Sequence, residues 1–254
     1  MDDKQELYDL CNHVFGKTPM SAKLSYIKNK FLCYIDKPLT EFKIKGIKET
    51  LSIIDLTEPN ISNFDDTLIE IIDRQVPVTE LLFEVLSMPN NWLINQLRQK
   101  NRIEQQDTET INLIKGVPIF LGNDSFEKLF NSPVYRKTKE YDLYPVVTAW
   151  LDSFAASNNL KIARVAIVRL QIDGKVLDHV DYGEYYATRD RYHLCLDGDY
   201  VYTVFDRSET IRKGTLFKFN NKVLHSALNI SDVPRICLIF DTEKLPVKNL
   251  QTPV

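Results

Sequence analysis

The sequence predicts an α+β protein in which a mainly helical N-terminal region precedes a β-rich C-terminal domain. Two observations lead to this prediction. Apolar residues recur at helical spacing in the first hundred residues, and short β-rich runs separated by turn signals follow Val117. Residues 99–115 between them are strongly polar, which is typical of a boundary or an exposed connecting segment. We therefore expect a helical region in residues 1–110 and a β domain in residues 111–254.

The clearest predicted helix covers residues 78–88, where leucine and valine recur on one face. Thr79 is in position to cap its N-terminus, and Pro89 ends it because proline cannot continue a helix. The same apolar periodicity predicts further helices in residues 21–35, 40–54 and 64–72. Asp65 or Asp66 would cap the last of them.

The C-terminal half begins with a predicted helix in residues 144–157 and continues as short runs rich in β-branched and aromatic residues. These runs predict strands in residues 161–172, 191–196, 200–205, 214–219, 222–229 and 235–241. Between them stand the turn signals DG, DGD, DRSE, NN and SDVP. Short strands with this punctuation favour an antiparallel sandwich or an open barrel.

Composition narrows the class of protein. With 254 residues, of which 44% are apolar, the chain can build a large core, and a net charge of -3 gives no overall attraction for nucleic acid. The four cysteines lack CxxC spacing and are too few for a disulfide scaffold, so we expect a reducing compartment. The acidic N-terminus differs from a signal peptide, and no apolar run approaches about 20 residues. We expect a cytoplasmic protein that binds neither nucleic acid nor membranes.

Three of the chain's four histidines lie in its last third, and one of them, His179, stands two residues before Asp181. Residues i and i+2 of a strand share a face, so both side chains would point to one place and form part of a metal site. His225 would complete the set, because two histidines and one carboxylate suit a non-haem Fe(II) centre with open coordination positions. An H-x-D unit also arises by chance, and the alternative for His225 is a core histidine bonded to a backbone carbonyl.

Arginines near these residues are candidates for an anion site. At an inward-facing strand position Arg235 needs an anion because guanidinium stays charged, and a carboxylate ligand would match its planar fork. A salt bridge to an internal acid or an edge position is the alternative. Arg191 and His193 share one face of their predicted strand and could complete the same site, or could form a solvated strand face. Arg169 either points into this pocket or occupies an exposed strand position.

The order of these elements, H-x-D, then R-x-H, then H-x-A-x-N, then Arg, resembles a known family. The segment from Lys161 to Thr242 is similar to the aspartyl/asparaginyl β-hydroxylase family of Fe(II)/2-oxoglutarate-dependent oxygenases, which includes bacterial proline hydroxylase-like members. The matching elements are RLQIDGKVLDHVD, RYHLCL and KGTLFKFNNKVLHSALNISDVPRICLIFD. The first hundred residues carry no such resemblance.

The resemblance implies a double-stranded β-helix, a cupin-like jelly roll, in which iron is held by His179, Asp181 and His225. It implies hydroxylation of an unactivated C–H bond with dioxygen, coupled to decarboxylation of 2-oxoglutarate. Family members related to the peptidyl-aspartate enzymes can lack the iron carboxylate. Asp181 therefore draws this chain towards the proline hydroxylase type, and the substrate stays open between a free amino acid, a proline-like one and a peptidyl Asp or Asn.

The resemblance further implies that Arg235 binds a carboxylate of the cosubstrate 2-oxoglutarate, with Arg191 and His193 in support. The tyrosine-rich loop between the two ligand arms lies where a lid over the substrate would be expected. As candidates for substrate contacts it offers Glu184, Tyr185 and Arg189. The alternative is an ordinary solvated loop.

Two other kinds of function fit the same residues. A cupin-type isomerase or epimerase would use the barrel and its metal without 2-oxoglutarate, although such proteins usually present more histidine ligands. A non-catalytic binding protein on the same fold would leave contacts to the helical region. Residues 1–110 could also recognise the substrate, cover a sheet face or form a homodimer. We expect a small-molecule or peptidyl amino-acid substrate as the partner of the site.

Overall fold

The computed structural model describes residues 3–17, 22–36, 39, 41–53, 68–88, 91–94, 108–116, 134–181 and 184–245. The helices within these ranges are α1 (Asp3–Gly16), α2 (Ala22–Asp36), α3 (Glu41–Ile53), α4 (Thr79–Leu86), α5 (Pro145–Ser157) and α6 (Glu184–Ala187). The strands are β1 (Ile69–Asp73), β2 (Leu93–Ile94), β3 (Thr108–Gly116), β4 (Tyr135–Lys137), β5 (Leu160–Leu170), β6 (Lys175–His179), β7 (Asp190–Asp197), β8 (Tyr200–Val204), β9 (Arg207–Ile211), β10 (Leu216–Phe219), β11 (His225–Asn229) and β12 (Arg235–Lys244). None of these helices is both long enough and apolar enough to cross a membrane.

The strands form two antiparallel sheets, as the prediction of an α+β protein with an antiparallel β domain requires. The large sheet has the order β1-β10-β7-β12-β5-β3-β2, with β4 also paired to β3, and the small sheet has the order β6-β11-β8-β9. One hydrophobic cluster joins the two sheets: Cys195 and Phe217 come from the large sheet, and Val176 and Tyr202 come from the small one. Side chains on these inner faces therefore meet between the sheets.

The three N-terminal helices cover the small sheet. Phe31 of α2 and Ile47 of α3 belong to the same cluster as Val204 and Leu224, and the rings of Phe31 and Phe205 lie 4.7 Å apart. The helices thus bury their apolar faces against the strands and complete the core of the β domain. A homodimer through this region would have to use the opposite, polar faces of the helices.

Helices α4 and α5 cover the outer face of the large sheet. A second cluster unites their apolar residues with Ile167 of β5 and Leu238 of β12. Glu84 of α4 fixes the two helices to each other, because its carboxylate accepts hydrogen bonds from the backbone N–H groups of Val146 and Val147, both at 2.9 Å. An anion is favoured at this end of α5, where the N–H groups lack partners within the helix.

Most of the predicted helices are confirmed. Residues 21–35, 40–54, 78–88 and 144–157 correspond to α2, α3, α4 and α5. The prediction that Thr79 caps α4 is wrong: the N-cap position belongs to Val78, which makes no side-chain hydrogen bond, and Thr79 is the first helical residue. Pro89 lies outside the described residues.

The predicted helix in residues 64–72 is wrong, because residues 69–73 form strand β1 along the edge of the large sheet. Ile69 pairs with Phe219 and Ile71 with Phe217 of β10. β-Branched isoleucines suit a strand, and pairing with an existing sheet edge outweighs the helical spacing of this short segment. The predicted caps Asp65 and Asp66 lie outside the described residues.

The polar segment 99–115 is not a connecting segment throughout. Residues 108–116 form β3, which pairs with β5 inside the large sheet, whereas residues 95–107 lie outside the described part. Thr108 and Thr110 are buried in this strand. Threonine is polar but β-branched, and β-branched residues favour strands, so the polar composition did not indicate the strand. Strand β1 lies before residue 110 and β3 crosses it, whereas the other long strands of the large sheet follow it. The sheet therefore includes strands from both sides of the domain boundary expected at residue 110.

The predicted strands of the C-terminal half are confirmed as β5, β7, β8, β10, β11 and β12. The turn at DRSE, residues 206–209, is shorter than the four residues predicted. Strand β9 begins at Arg207 and pairs with β8 as a hairpin. Only Phe205 and Asp206 form the turn, and Phe205 has a left-handed φ of 56°. A two-residue hairpin turn imposes such angles even on a bulky residue.

Candidate metal and anion site

Neighbouring strands of the small sheet bring the two candidate histidines together. His179 ends β6, His225 begins β11, and the two residues are register partners whose ring centroids lie 4.2 Å apart. Asp181 follows two residues after His179, and its backbone N–H donates to the Asn221 carbonyl at 3.0 Å. The ligand atoms of the three side chains all lie within 4.8 Å of one another. The structure therefore assembles the cluster that the H-x-D and His motifs predict.

Backbone carbonyls set the orientation of both imidazole rings. Nδ1 of His179 lies 2.8 Å from the Leu177 carbonyl, and Nδ1 of His225 lies 2.8 Å from the Val223 carbonyl. Nδ1 must carry the proton to donate these bonds, so Nε2 offers its lone pair to the cluster. Nε2 of His179 and of His225 lie 4.0 Å and 3.8 Å from the nearer carboxylate oxygens of Asp181. Imidazoles fixed in this way are the form that binds a divalent metal, so these residues fit such an ion.

Arg191 lies against the carboxylate of this cluster. Its Nη1 donates to Oδ2 of Asp181 at 2.6 Å, while Nε and Nη2 donate to the two oxygens of Asp241 at 2.7 and 3.0 Å. Burial by itself lowers the pKa of Arg191, but the two carboxylates outweigh it and hold the pKa well above the ordinary value. Arg191 thus pairs with two carboxylates of the chain, and its support of 2-oxoglutarate stays a prediction.

Arg235 has the opposite surroundings. It is 2% exposed, its Nε and Nη2 have no hydrogen-bond acceptor, and its guanidinium lies over the Tyr200 ring with 4.1 Å from Cζ to the centroid. No carboxylate among the described residues comes within 4.0 Å of it. Gly198, with a φ of +75°, lets the chain pass close by, because a Cβ there would lie 2.8 Å from Cα of Arg235. A buried guanidinium in this state is a candidate for binding an anion.

His193 packs among aromatic side chains. Its ring is buried on the inner face of β7 and makes edge contacts with Tyr202, Phe217 and Phe219 at centroid distances of 5.2, 5.2 and 5.0 Å. Burial and then Asp181 raise the pKa of the Tyr202 phenol, whereas nearby arginines lower it. The Tyr202 ring lies 6.2 Å from that of His225 and 6.3 Å from that of Tyr200, so aromatic side chains connect the cluster with the Tyr200 ring beneath Arg235.

The prediction that Arg169 faces the same pocket is corrected. Its Nε donates to Oε2 of Glu109 at 2.6 Å, and its guanidinium lies 4.4 Å from the Trp92 ring, which belongs to the cluster on the outer face of the large sheet. Leu170, the next residue, belongs to the inner cluster. Side chains alternate along a strand, so Arg169 must face outwards.

The loop between the two ligand arms is packed against the protein. Tyr185 is 0% exposed and its hydroxyl donates to Oδ2 of Asp241 at 3.0 Å. Arg189 donates through Nε to Glu243 at 2.9 Å and through Nη1 to the Tyr185 carbonyl at 2.6 Å. The side chain of Glu184 lies outside the described part. Tyr185 and Arg189, two candidates for substrate contacts, are therefore engaged within the chain.

Asp241 and Asn229 are buried polar residues that were not among the predicted site residues. Asp241 lies on the same face of β12 as Arg235, and an acid inside an apolar strand is a signal that a cation lies opposite it. Asn229, the last residue of the H-x-A-x-N element, is buried and donates to the carbonyls of Gln171 and Val233 at 3.0 and 2.9 Å. It ties the end of β11 to the segments beside β5 and β12.

A comparison with protein families identifies the family of this chain. A family model for aspartyl/asparaginyl beta-hydroxylases matches residues 90–244, which is more than half of the chain, and the protein belongs to that family. Membership supports a general role as an oxygenase or hydroxylase. No curated protein sequence matches the chain.

A comparison with solved structures finds chains of low similarity. An oxidoreductase of the 2OG-Fe(II) oxygenase family from Burkholderia pseudomallei is 10% identical to this chain. The match covers 72% of this chain and 88% of the other chain, with a TM-score of 0.47. A predicted oxalate decarboxylase from Thermotoga maritima is 12% identical, with coverages of 55% and 84% and a TM-score of 0.33. A cupin protein from Bacteroides fragilis is 17% identical, with coverages of 39% and 79% and a TM-score of 0.29. These scores are too low for any functional conclusion.

Proposed function

We propose that the protein is an Fe(II)/2-oxoglutarate-dependent dioxygenase that hydroxylates an unactivated C–H bond of an amino acid, whether free, proline-like or a peptidyl Asp or Asn. The observation that carries the proposal is Arg235. Its buried guanidinium has no carboxylate partner among the described residues, and it lies in the same inter-sheet space as a cluster of two histidines and an aspartate. A metal site and a buried anion site side by side are what a chelating oxoacid needs.

The fold supports the proposal. We take the two facing antiparallel sheets as a double-stranded β-helix, in which the small sheet carries His179 and His225 and the large sheet carries Arg191, His193 and Arg235. Residues that lie far apart in sequence then face one another across the core.

In this proposal His179, Asp181 and His225 hold the iron through two imidazole nitrogens and one carboxylate oxygen. Bound there with 2-oxoglutarate and dioxygen, the iron supplies oxidative decarboxylation of the oxoacid and insertion of one oxygen atom into the substrate C–H bond. The chain's own residues orient these reactants and exclude water. Three ligands leave coordination positions free, and the neutral imidazoles and the ionised carboxylate match the requirements of Fe(II).

Arg235 binds the carboxylate of 2-oxoglutarate that lies remote from the metal. Its Nε and Nη2 form one edge of the planar fork, and both lack an acceptor, so a single carboxylate satisfies them together. Arg235 is 2% exposed and lies over the Tyr200 ring, so water is kept from this pair, which strengthens it because the local dielectric is low.

The test uses the metal-free protein under anaerobic conditions. Addition of Fe(II) and then 2-oxoglutarate should produce the weak visible charge-transfer band of a chelated iron–oxoacid complex. His225→Ala should abolish the band because a ligand is lost. Arg235→Lys should weaken 2-oxoglutarate binding about tenfold or more, since an ammonium cannot reproduce the two-point fork. Arg169→Lys is the matched control and should bind like the wild type, because Arg169 faces the other side of the sheet.

Binding of metal without any band would contradict the role of 2-oxoglutarate and would favour a cupin-type isomerase or epimerase. Absence of metal binding would leave a non-catalytic binding protein. An unchanged 2-oxoglutarate affinity in Arg235→Lys would place the cosubstrate elsewhere.

A further inference from the structure

A chain of buried polar groups leads away from the carboxylate of the candidate metal site. Asp181 accepts from Arg191, Arg191 is held by both oxygens of Asp241, and Asp241 accepts the hydroxyl proton of Tyr185. Asp241 is 1% exposed, and Tyr185 is 0% exposed. Charged groups are rarely buried unless they pair. Here the series of paired groups ends at the carboxylate of Asp181, which faces the imidazoles of His179 and His225.

The contacts of Asp181 restrict how its carboxylate can rotate. Oδ2 accepts from Nη1 of Arg191 at 2.6 Å and from Nδ2 of Asn221 at 3.4 Å, and the Asn221 carbonyl accepts the backbone N–H of Asp181 at 3.0 Å. Oδ1 lies 4.0 Å from Nε2 of His179, and Oδ2 lies 3.8 Å from Nε2 of His225. With Oδ2 held by Arg191 and Asn221, the carboxylate plane keeps Oδ1 towards His179 and Oδ2 towards His225.

Arg191 can hold Asp181 only if its own guanidinium is fixed. Asp241 does this by accepting from Nε and Nη2 at once, at 2.7 and 3.0 Å, which is a planar two-point contact. The two residues are register partners on β7 and β12, so the sheet itself sets their separation. Nη1 is then the group that points to Asp181.

Tyr185 attaches helix α6 to the same pair. Its hydroxyl donates to Oδ2 of Asp241 and accepts the backbone N–H of Arg164, both at 3.0 Å. The guanidinium carbons of Arg164 and Arg189 lie 3.7 and 4.2 Å from the centroid of the Tyr185 ring. Helix α6 belongs to the connection between Asp181 and β7, so this anchor fixes that connection at its midpoint.

We propose that Asp241 and Tyr185 are positioning residues of the metal site: Asp241 orients Arg191, Arg191 directs the carboxylate of Asp181 towards the two histidines, and Tyr185 fixes the connecting helix to this pair. The proposal rests on the metal-binding part of the proposed function. It assigns Arg191 to the metal carboxylate and leaves Arg235 to bind the cosubstrate.

The experiment measures Co(II) affinity of the purified metal-free protein by anaerobic calorimetry and by the visible d–d bands of bound Co(II). Asp241→Asn keeps the shape of the side chain but removes its charge, and it should weaken Co(II) binding about tenfold, in the range known for groups that orient metal ligands. Tyr185→Phe removes one hydrogen bond and should weaken it by roughly threefold. The d–d bands should shift in Asp241→Asn because the carboxylate ligand is misplaced.

Glu243→Gln is the matched control. Glu243 lies on the same strand as Asp241 and pairs with Arg189, but it contacts neither Arg191 nor Asp181. This variant should keep wild-type Co(II) affinity and spectrum. Circular dichroism and thermal unfolding of the metal-free variants confirm that they fold, and Tyr185→Phe provides the test if Asp241→Asn does not.

Wild-type Co(II) affinity in both Asp241→Asn and Tyr185→Phe would overturn this inference while leaving the proposed function intact. Normal Co(II) affinity together with weaker 2-oxoglutarate binding in Asp241→Asn would also overturn it, because Arg191 would then serve the cosubstrate. If the wild-type protein itself bound no Co(II), the proposed function would fail first.

Discussion

Arg191 and Arg235 lie on inner faces of neighbouring strands, yet they differ in what surrounds the charge. Arg191 is shared between two carboxylates, whereas Arg235 lies over an aromatic ring with two donors unused. A buried charge without a partner is costly, so a protein keeps one only where a ligand will supply the partner. Arg191 is therefore a structural cation, whereas Arg235 is the candidate for binding an anion.

This difference predicts opposite effects on the stability of the metal-free protein. Arg235→Met should raise the free energy of unfolding by about 1 kcal/mol, because an apolar chain of similar length replaces an uncompensated charge. Arg191→Met should lower it by roughly 3 kcal/mol, because two carboxylates lose their partner. Urea unfolding of both variants measures the effect. A loss of stability in Arg235→Met as large as in Arg191→Met would mean that Arg235 already has an anionic partner within the chain.

At the scale of elements, helix α3 packs against the segments that carry the candidate metal ligands. A Cβ added at Gly46 would lie 2.6 Å from Cδ2 of Leu224 and 3.2 Å from Cγ2 of Val180. Leu224 precedes His225 and Val180 stands between His179 and Asp181, so the helix packs directly behind the cluster. Glycine at this position permits the close approach of α3.

Gly46→Val should therefore lower stability by about 1–3 kcal/mol, the usual range for overpacking, and should also weaken Co(II) binding because Val180 and Leu224 are displaced. Gly16→Val is the control, since a Cβ at Gly16 has nothing within 4 Å. Thermal unfolding and metal titration measure the two effects. Equal behaviour of the two variants would show that the helix has no influence on the site.

At the scale of the whole molecule, the N-terminal helices and the sheets share one core. Cys11 of α1 lies in the same buried cluster as Cys195 of β7. Burial raises the pKa of the Cys11 thiol to about 11 and raises that of Cys195 further. The thiolate is the reactive form, so neither thiol should react in the folded protein near neutral pH.

Ellman's reagent at pH 7.5 should accordingly modify one thiol quickly in the native protein, at the exposed Cys33, and all four cysteines after unfolding. Cys33→Ser should remove the fast phase. Rapid native modification of a second thiol would show that the core formed by helices and sheets opens readily.

Local sequence was enough to predict the helices with clear apolar spacing and most strands of the β domain, and it indicated the three residues that the structure brings together as a candidate metal cluster. The two-residue spacing of the H-x-D unit keeps His179 and Asp181 close together, although β6 ends at His179 and Asp181 lies beyond it. The order of motifs also indicated the family that the match over residues 90–244 confirms. The helices, the strands and the H-x-D unit depend on residues close together in sequence, whereas His225 joins the cluster because β11 pairs with β6.

Features that depend on pairing between distant segments were decided by the tertiary structure. Residues 69–73 and 108–116 became strands because sheet edges were available to pair with them. Arg169 faces outwards because of the register of β5, and Arg191 meets Asp241, fifty residues later, because β7 pairs with β12. Sequence determined which groups carry charge and which segments can be strands. Strand register and burial decided which charge each group meets, because partners across a sheet are set by pairing and not by spacing along the chain.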